Sequence, residues 1–148
     1  MFQSILVPLD GSEHSQLALR VASKLLDSSG GRLILLHVPE PLEHETLLVW
    51  GVGVVPMGST LEEREKIGRT LLDKAIEDAE SQGLNSDSIS SILTHGDPRQ
   101  LILATAKEEN VDAIVMGSRG LSDLKGLMIG SIAHRVSHSA ECRVLTVH

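Results

Sequence analysis

The sequence has little cysteine, few aromatic side chains and a shortage of basic residues. Cys142 is its only cysteine, which excludes a disulfide within the chain and favours a cytoplasmic protein. With one Phe and one Trp, the core must be built from Leu, Ile, Val and Ala. The formal net charge of -7 argues against a nucleic-acid binder, which needs a basic face. An anionic ligand held by backbone amides remains compatible with that charge.

Long hydrophobic runs are also missing. The uncharged stretch from Thr46 to Leu61 is interrupted by three glycines and a proline, so it does not predict a membrane span. The N-terminal run MFQSILVPLDGS has no basic start, and its apolar part is too short for a signal peptide. We therefore expect a cytoplasmic protein with no segment inserted in a membrane.

Short apolar runs alternate with helical patterns along the 148 residues. The expected strands are Ile5 to Leu9, Arg32 to Val38, Ser88 to His95, Asp112 to Met116 and Arg143 to Val147. The expected helices follow Ser12, span Leu61 to Gln82, run from Pro98 to about Glu109, and begin near Ser131. Between Pro39 and about Ser59 we find no regular pattern.

This alternation predicts an α/β fold, namely one domain over residues 1–148 with an open, five-stranded, mostly parallel sheet and helices on both faces. The Ser88 to His95 strand is the most polar, which places it at an edge. Pro8 lacks the N–H that a ladder needs, so it fits only where the ladder ends. Leu17, Ala18 and Val21 are expected on the inner face of the first helix.

The loop after Met116 carries the strongest functional signal. Gly117 and Gly120 follow a buried strand directly, and Gly130 precedes Ser131 where a helix begins. Glycine allows positive φ and a close approach to a ligand, and a helix N-terminus attracts anions. Ligands of open α/β sheets bind at this edge, where Asp10 also ends the first strand.

The pattern therefore predicts a phosphate-binding loop. The alternative is that the glycines shape turns and that Asp10 serves only the turn at Gly11 and Ser12. No P-loop, no GxGxxG turn and no GxSxG elbow is present.

These residues resemble the universal stress protein family, whose signature is G-x2-G-x9-G-[ST]. Gly117, Gly120, the nine residues from Leu121 to Ile129 and the Gly130-Ser131 pair match it without a gap. ILVPLDGS, LILLHV, the Gly96-Asp97-Pro98 segment, DAIVMGSRG and SAECRVLTV resemble the rest of the family in order. The resemblance implies a Rossmann-like fold of the adenine-nucleotide-binding type.

The resemblance also implies a site for ATP with Mg²⁺ or Mn²⁺. In the ATP-binding branch the phosphates would contact Gly117, Gly120, Gly130 and Ser131, with the Ile132 amide beside them. Asp10, flanked by Pro8 and Leu9, would lie near the ribose and adenosine. The backbone of Val38 would read the adenine edge, and Met116 and Arg119 would flank the loop. Family members commonly dimerise through the last strand, here Arg143 to Val147.

The leading hypothesis is an ATP-binding regulatory or stress-response module, homodimeric, that acts on an unknown partner protein. The alternative is an enzyme on the same site, either a slow ATPase or a phosphoryl- or nucleotidyl-transferring enzyme, with Asp10 as the only nearby candidate base. A nucleotide-free scaffold is a third hypothesis. We interpret His134 and His138 as helix-surface residues and Cys142 as a buried or half-buried thiol. The apolar segment Leu47 to Gly58 either packs onto the sheet or second helix, or covers the nucleotide or an oligomer contact.

Overall fold

The computed structural model describes residues 1–121, 123 and 128–148. Its main sheet has five parallel strands: β1 (Ser4–Pro8), β2 (Arg32–His37), β5 (Ile89–Leu93), β6 (Ala113–Gly117) and β7 (Arg143–Val147). Their order across the sheet is β5-β2-β1-β6-β7. The predicted fold is confirmed, and β5 lies at the edge where its polar sequence placed it.

Four helices connect these strands: α1 (Glu13–Leu25), α2 (Leu61–Ser81), α3 (Pro98–Glu108) and α4 (Ser131–Ser139). Local signals set their starts. The Ser12 hydroxyl caps α1, Thr60 and Glu63 form a capping box on α2, and Asp97 caps α3 ahead of Pro98. A short 3-10 turn at Ser86–Ser88 leads into β5. Within the described part of the chain, no helix is long and apolar enough to cross a membrane.

The helices cover both faces of the sheet, because successive strand residues point to opposite sides. Ile5 and Val7 of β1 pack with α1 and α2, whereas Leu6 between them packs with α3 and α4. The expectation for Leu17 is wrong. Its side chain is 40% exposed, and Leu19 takes the fully buried position on α1.

The segment from Pro39 to Ser59 is more regular than its sequence predicts. It contains an antiparallel hairpin of β3 (Thr46–Leu48) and β4 (Gly53–Val55). Leu48 and Val55 are buried, whereas Leu47 and Val54 face outward. Each of these strands is only three residues long, and both of its faces carry apolar residues. The alternation of polar and apolar residues that indicates a strand is therefore missing.

The hairpin packs onto the turn after β1 and onto α2, which agrees with the first of the two interpretations of this segment. The Val49 amide donates to the Gly11 carbonyl at 3.0 Å, and the Trp50 indole N–H donates to Asp78 Oδ2 on α2 at 2.8 Å. The hairpin turn uses positive φ at both Trp50 (59°) and Gly51 (68°), which matches the twist of adjoining strands.

The strand order reverses between β1 and β6. Their ladder is short, pairing Ile5 with Ala113 and Leu6 with Ile114. Pro8 is the last residue of β1, where the missing N–H costs no ladder bond, as its position predicted. Beyond this short ladder the carboxyl ends of the two strands border a crevice.

Candidate functional site

A pocket that is partly open to solvent lies in the crevice beyond β1 and β6. Small ligands of open α/β sheets bind in concave sites at this position. Most of the predicted site residues line it: Pro8, Leu9, Asp10, Val38, Met116, Gly117, Arg119, Gly120 and Ile132. Ser131 lines an adjoining pocket whose wall shares Asp10, Val38 and Ile132 with the first. The fold therefore brings together residues from four separate parts of the chain.

Asp10 joins the turn after β1 to the loop after β6. One carboxylate oxygen accepts the Ser12 amide at 2.9 Å, and the other accepts the Leu121 amide at 3.0 Å. Both oxygens thus hold backbone in place. The turn role that sequence alone left open is real, and it coexists with a position in the pocket wall.

The three signature glycines provide space rather than an unusual backbone conformation. The positive φ that glycine allows is not adopted at Gly117 or Gly120, and Gly130 has a φ of -78° at the start of α4. A Cβ at Gly117 would lie 2.7 Å from the His14 Cβ, and one at Gly120 would lie 2.7 Å from Asp10 Oδ2. A side chain at Gly117 would collide with the start of α1, and one at Gly120 would collide with the Asp10 carboxylate.

Gly130 closes the base of the loop and starts α4. Its amide donates to the Ser118 carbonyl at 2.6 Å, and its carbonyl accepts the His134 amide at 2.9 Å. The Gly130 amide is therefore engaged within the protein. The next amides, of Ser131 and Ile132, stand in the first turn of α4, where a helix has no internal acceptor and its dipole is positive.

Two charged residues beside the glycine loop were not predicted from the sequence. The Arg99 guanidinium donates to the Ser131 hydroxyl oxygen at 2.8 Å from the start of α3. The Asp123 carboxylate accepts the Gly120 amide at 2.5 Å. The Asp97-Pro98 helix start was a usable signal for Arg99, whereas Asp123 lies unmarked within the nine-residue spacer.

The inner wall of the pocket is apolar. Leu36, Ile102 and Ala133 join Met116 and Val38 there, which suits a flat, weakly polar ring such as a nucleobase. Glu40 stands in the wall of both pockets. Burial raises the pKa of the Glu40 carboxyl, and the negative charge of Asp10 raises it further.

His37 fixes the end of β2 next to Val38. Its Nδ1 lies 2.7 Å from the Leu9 carbonyl oxygen, and its ring edge packs over Gly68 of α2. Burial lowers the pKa of His37, and this favours the neutral ring. In that form Nδ1–H donates to the Leu9 carbonyl, so His37 is a packed group.

The other candidate residues lie away from the pocket. His134 and His138 are exposed on α4, as predicted, with ring centroids 4.5 Å apart. Cys142 is partly buried, and burial raises the pKa of its thiol. Across residues 1–121, 123 and 128–148, no group of three or more His, Cys, Asp or Glu side chains is placed to hold a metal ion.

The site can be compared with known proteins. The model of the universal stress protein family matches residues 1–148. Universal stress protein YxiE of Bacillus subtilis is 37% identical over 150 residues, with 99% of both chains covered. A universal stress protein solved in complex with cAMP superposes with a TM-score of 0.71 at 25% identity, covering 99% of this chain and 97% of the other.

A universal stress protein from Archaeoglobus fulgidus, solved in complex with dAMP, shares the fold. Its TM-score is 0.71 at 21% identity, with 99% of this chain and 98% of the other covered. Structural neighbours of this chain thus bind adenine nucleotides.

Proposed function

This chain belongs to the universal stress protein family, and we propose that it is an ATP-binding regulatory or stress-response module. In this proposal residues 1–148 form one domain that works in the cytoplasm as a homodimer and acts on a partner protein. The pocket at the strand-order reversal carries the proposal, because its wall combines an apolar slot with the glycine loop and the N-terminal end of α4. That pairing suits a nucleobase joined to phosphates.

Each part of the nucleotide has a proposed contact. The adenine lies in the slot formed by Pro8, Leu9 and Met116, with the Val38 backbone at its edge. Asp10 lies beside the ribose. The phosphates contact the loop at Gly117, Gly120, Gly130 and Ser131, the Ile132 amide and, from the side, Arg119.

The Ser131 hydroxyl supports the phosphate assignment. It lies at the positive N-terminal end of α4 and already accepts a hydrogen bond from Arg99. A phosphate at this point would meet a hydroxyl, a guanidinium and free helix amides together.

Mg²⁺ or Mn²⁺ would enter with the phosphates. Mg²⁺ is commonly held by one or two carboxylates plus phosphate oxygens and water. The pocket wall offers Asp10 as an oxygen donor, which fits such a minimal protein contribution. The cation would neutralise phosphate charge near this carboxylate.

The geometry of Asp10 supports a binding role over catalysis. A general base must be able to accept a proton from the attacking water or hydroxyl. Each Asp10 oxygen accepts one backbone amide, from Ser12 or Leu121, so the position of the carboxylate is set by the turn and the loop. The residue that sequence offered as a base is thus engaged in holding the loop.

We place the dimer contact at β7. This strand is an edge of the main sheet, so one side of its backbone is available to pair with a second copy. Val144, Leu145 and Val147 are only partly buried within one chain. Sedimentation velocity should give about twice the mass of one chain, and a purely monomeric species would overturn this part of the proposal.

The test of nucleotide binding is calorimetric titration of nucleotide-stripped protein with Mg-ATP, comparing wild type with Gly130→Asp. A Cβ at Gly130 would lie 2.6 Å from Asp123 Cγ, so the added carboxylate both fills and charges the cradle. Gly30→Asp is the matched control, because nothing lies within 4 Å of the Cβ position there. We expect binding by wild type and Gly30→Asp, and loss of binding in Gly130→Asp.

Equal binding by all three proteins would place the nucleotide elsewhere, and no binding by any would reject the proposal. Circular dichroism verifies that each variant is folded. Should Gly130→Asp fail to fold, Ser131→Ala tests the same site with a smaller change. Titrations with AMP, cAMP and adenosine then measure which phosphate arrangement the site prefers.

A further inference from the structure

The Asp123 carboxylate lies inside the cradle formed by the two ends of the loop. On one side Oδ2 accepts the Gly120 amide at 2.5 Å. On the other it faces Gly130, where a Cβ would stand 2.6 Å from Asp123 Cγ. The absence of a side chain at Gly130 is therefore what leaves room for this carboxylate.

Asp123 makes the interaction that a phosphate oxygen would make. An anionic oxygen that accepts a backbone amide is the standard contact of an anion-binding loop. The Gly120 N–H is a single donor, and the space over Gly130 admits one group. A phosphate and the Asp123 carboxylate therefore cannot both hold these positions.

The surrounding charges make this competition stronger. Asp10 and Glu40 line the same pocket as Asp123. Burial raises the pKa of Glu40 most and the charge of Asp10 raises it further, whereas Arg99 partly opposes the shift. An incoming polyphosphate would add negative charge to this group, with Arg64, Arg99 and Arg119 as the cations of the two pocket walls.

We propose that Asp123 is an internal competitor for phosphate and thereby sets the affinity of the site for phosphorylated ligands. The inference rests on the proposed nucleotide site and adds a residue that governs its selectivity. Binding of a phosphate displaces the Asp123 carboxylate from the Gly120 amide and from the space over Gly130. Ligands without phosphate leave it in place. Removal of the Asp123 carboxylate should then strengthen the binding of ligands whose phosphates enter the cradle, and should leave the binding of ligands without phosphate unchanged.

The experiment measures Kd for Mg-ATP, adenosine and inorganic tripolyphosphate with wild type, Asp123→Ala and Asp123→Asn. For Asp123→Ala we expect roughly tenfold tighter binding of Mg-ATP and tripolyphosphate, the size of one lost charged competitor. Adenosine affinity should stay within about twofold, since its site lies outside the cradle. Asp123→Asn keeps the shape and one acceptor but removes the charge, so it should fall between wild type and Asp123→Ala.

Asp73→Ala is the matched control, because it removes the same charge from an exposed position on α2. If Asp123→Ala binds Mg-ATP and tripolyphosphate no more tightly than wild type, the inference is wrong. It is also wrong if adenosine gains as much as ATP, or if Asp73→Ala gives the same increase.

Tripolyphosphate separates this inference from the proposed function. The proposed function fails if wild type does not bind Mg-ATP or if Gly130→Asp has no effect. The competition can still be observed in that case, as tighter binding of tripolyphosphate to Asp123→Ala. If neither phosphate ligand binds to Asp123→Ala more tightly, the competition is rejected whatever the adenosine result.

Discussion

The Leu121 amide donates a hydrogen bond to the Asp10 carboxylate at 3.0 Å, joining two residues that are 111 positions apart in the sequence. This bond connects the turn after β1 to the loop after β6 across the crevice. Because the other Asp10 oxygen accepts the Ser12 amide, one side chain sets the relative position of both walls of the proposed site. The first prediction follows from this connection.

Asp10→Ala should weaken both the fold and the site. Two backbone amides lose their acceptor, and we expect a loss of about 1–3 kcal/mol in the free energy of unfolding. Binding of Mg-ATP should weaken by at least roughly tenfold, since the loop loses its anchor. Asp10→Asn retains one acceptor oxygen. Its free energy of unfolding in urea and its affinity for Mg-ATP in calorimetry should lie between those of wild type and Asp10→Ala. Unchanged stability in Asp10→Ala would show that the bond to Leu121 contributes little.

Gly117→Ala should destabilise the protein through a collision rather than through backbone strain. The added Cβ would lie 2.7 Å from the His14 Cβ and 3.0 Å from its carbonyl carbon, and the backbone of α1 cannot yield locally. Overpacking of this kind costs about 1–3 kcal/mol. Gly30→Ala, where the Cβ meets nothing within 4 Å, is the matched control and should be close to neutral. Similar urea midpoints for the two variants would contradict this account.

His37 should make the fold sensitive to acid. Burial lowers its pKa from the ordinary value of 6.5, although the Leu9 carbonyl and Asp10 partly oppose that shift. The unfolded state therefore binds a proton more readily, so stability is complete above pH 6.5 and falls as pH decreases through the folded pKa. In His37→Asn the free energy of unfolding should fall less between neutral and mildly acidic pH. The exposed His138→Asn should retain the wild-type dependence, and an equal slope for His37→Asn would contradict the prediction.

Asp78→Ala should loosen the β3–β4 hairpin. Asp78 accepts the Trp50 indole N–H at 2.8 Å and forms an ion pair with Arg20 at 3.4 Å. Without that acceptor the indole becomes more exposed, and we expect a red shift of the fluorescence of this single Trp. The free energy of unfolding should fall by about 1 kcal/mol. Glu80→Ala, which removes an exposed acid two residues away on α2, should leave the emission unchanged. A shift in both variants would show that the Asp78 contact is not the cause.

Much of the fold could be predicted from local pattern. The apolar runs that form β1 and β6 are buried on both faces, and the polar run that forms β5 lies at the edge. Capping residues such as Asp97 and glycine signals placed the helix starts. The β3–β4 hairpin was missed because its burial depends on contacts with Gly11 and Asp78, which no local pattern reveals.

The sequence predicted which residues surround the pocket better than it predicted the structural role of each one. The glycine spacing located the loop, but the sequence suggested positive φ where the structure shows missing space. Asp123 carried no distinctive signal, and the Asp97-Pro98 helix start indicated only where Arg99 lies along the chain, because the roles of both residues come from the groups they meet. Arg99 meets Ser131 from another helix, and the Asp123 carboxylate lies where a side chain at Gly130 would stand.

The sequence by itself determined the strand and helix order, the family and the position of the glycine loop, because these depend on residue type and spacing along the chain. Only the tertiary structure decided that Asp10 holds both walls of the crevice and that the Asp123 carboxylate accepts the Gly120 amide inside the glycine loop. Hydrogen bonds and steric exclusion act over a few ångströms in space. Residues far apart in sequence can therefore acquire a joint role only when the sheet brings its strand ends together.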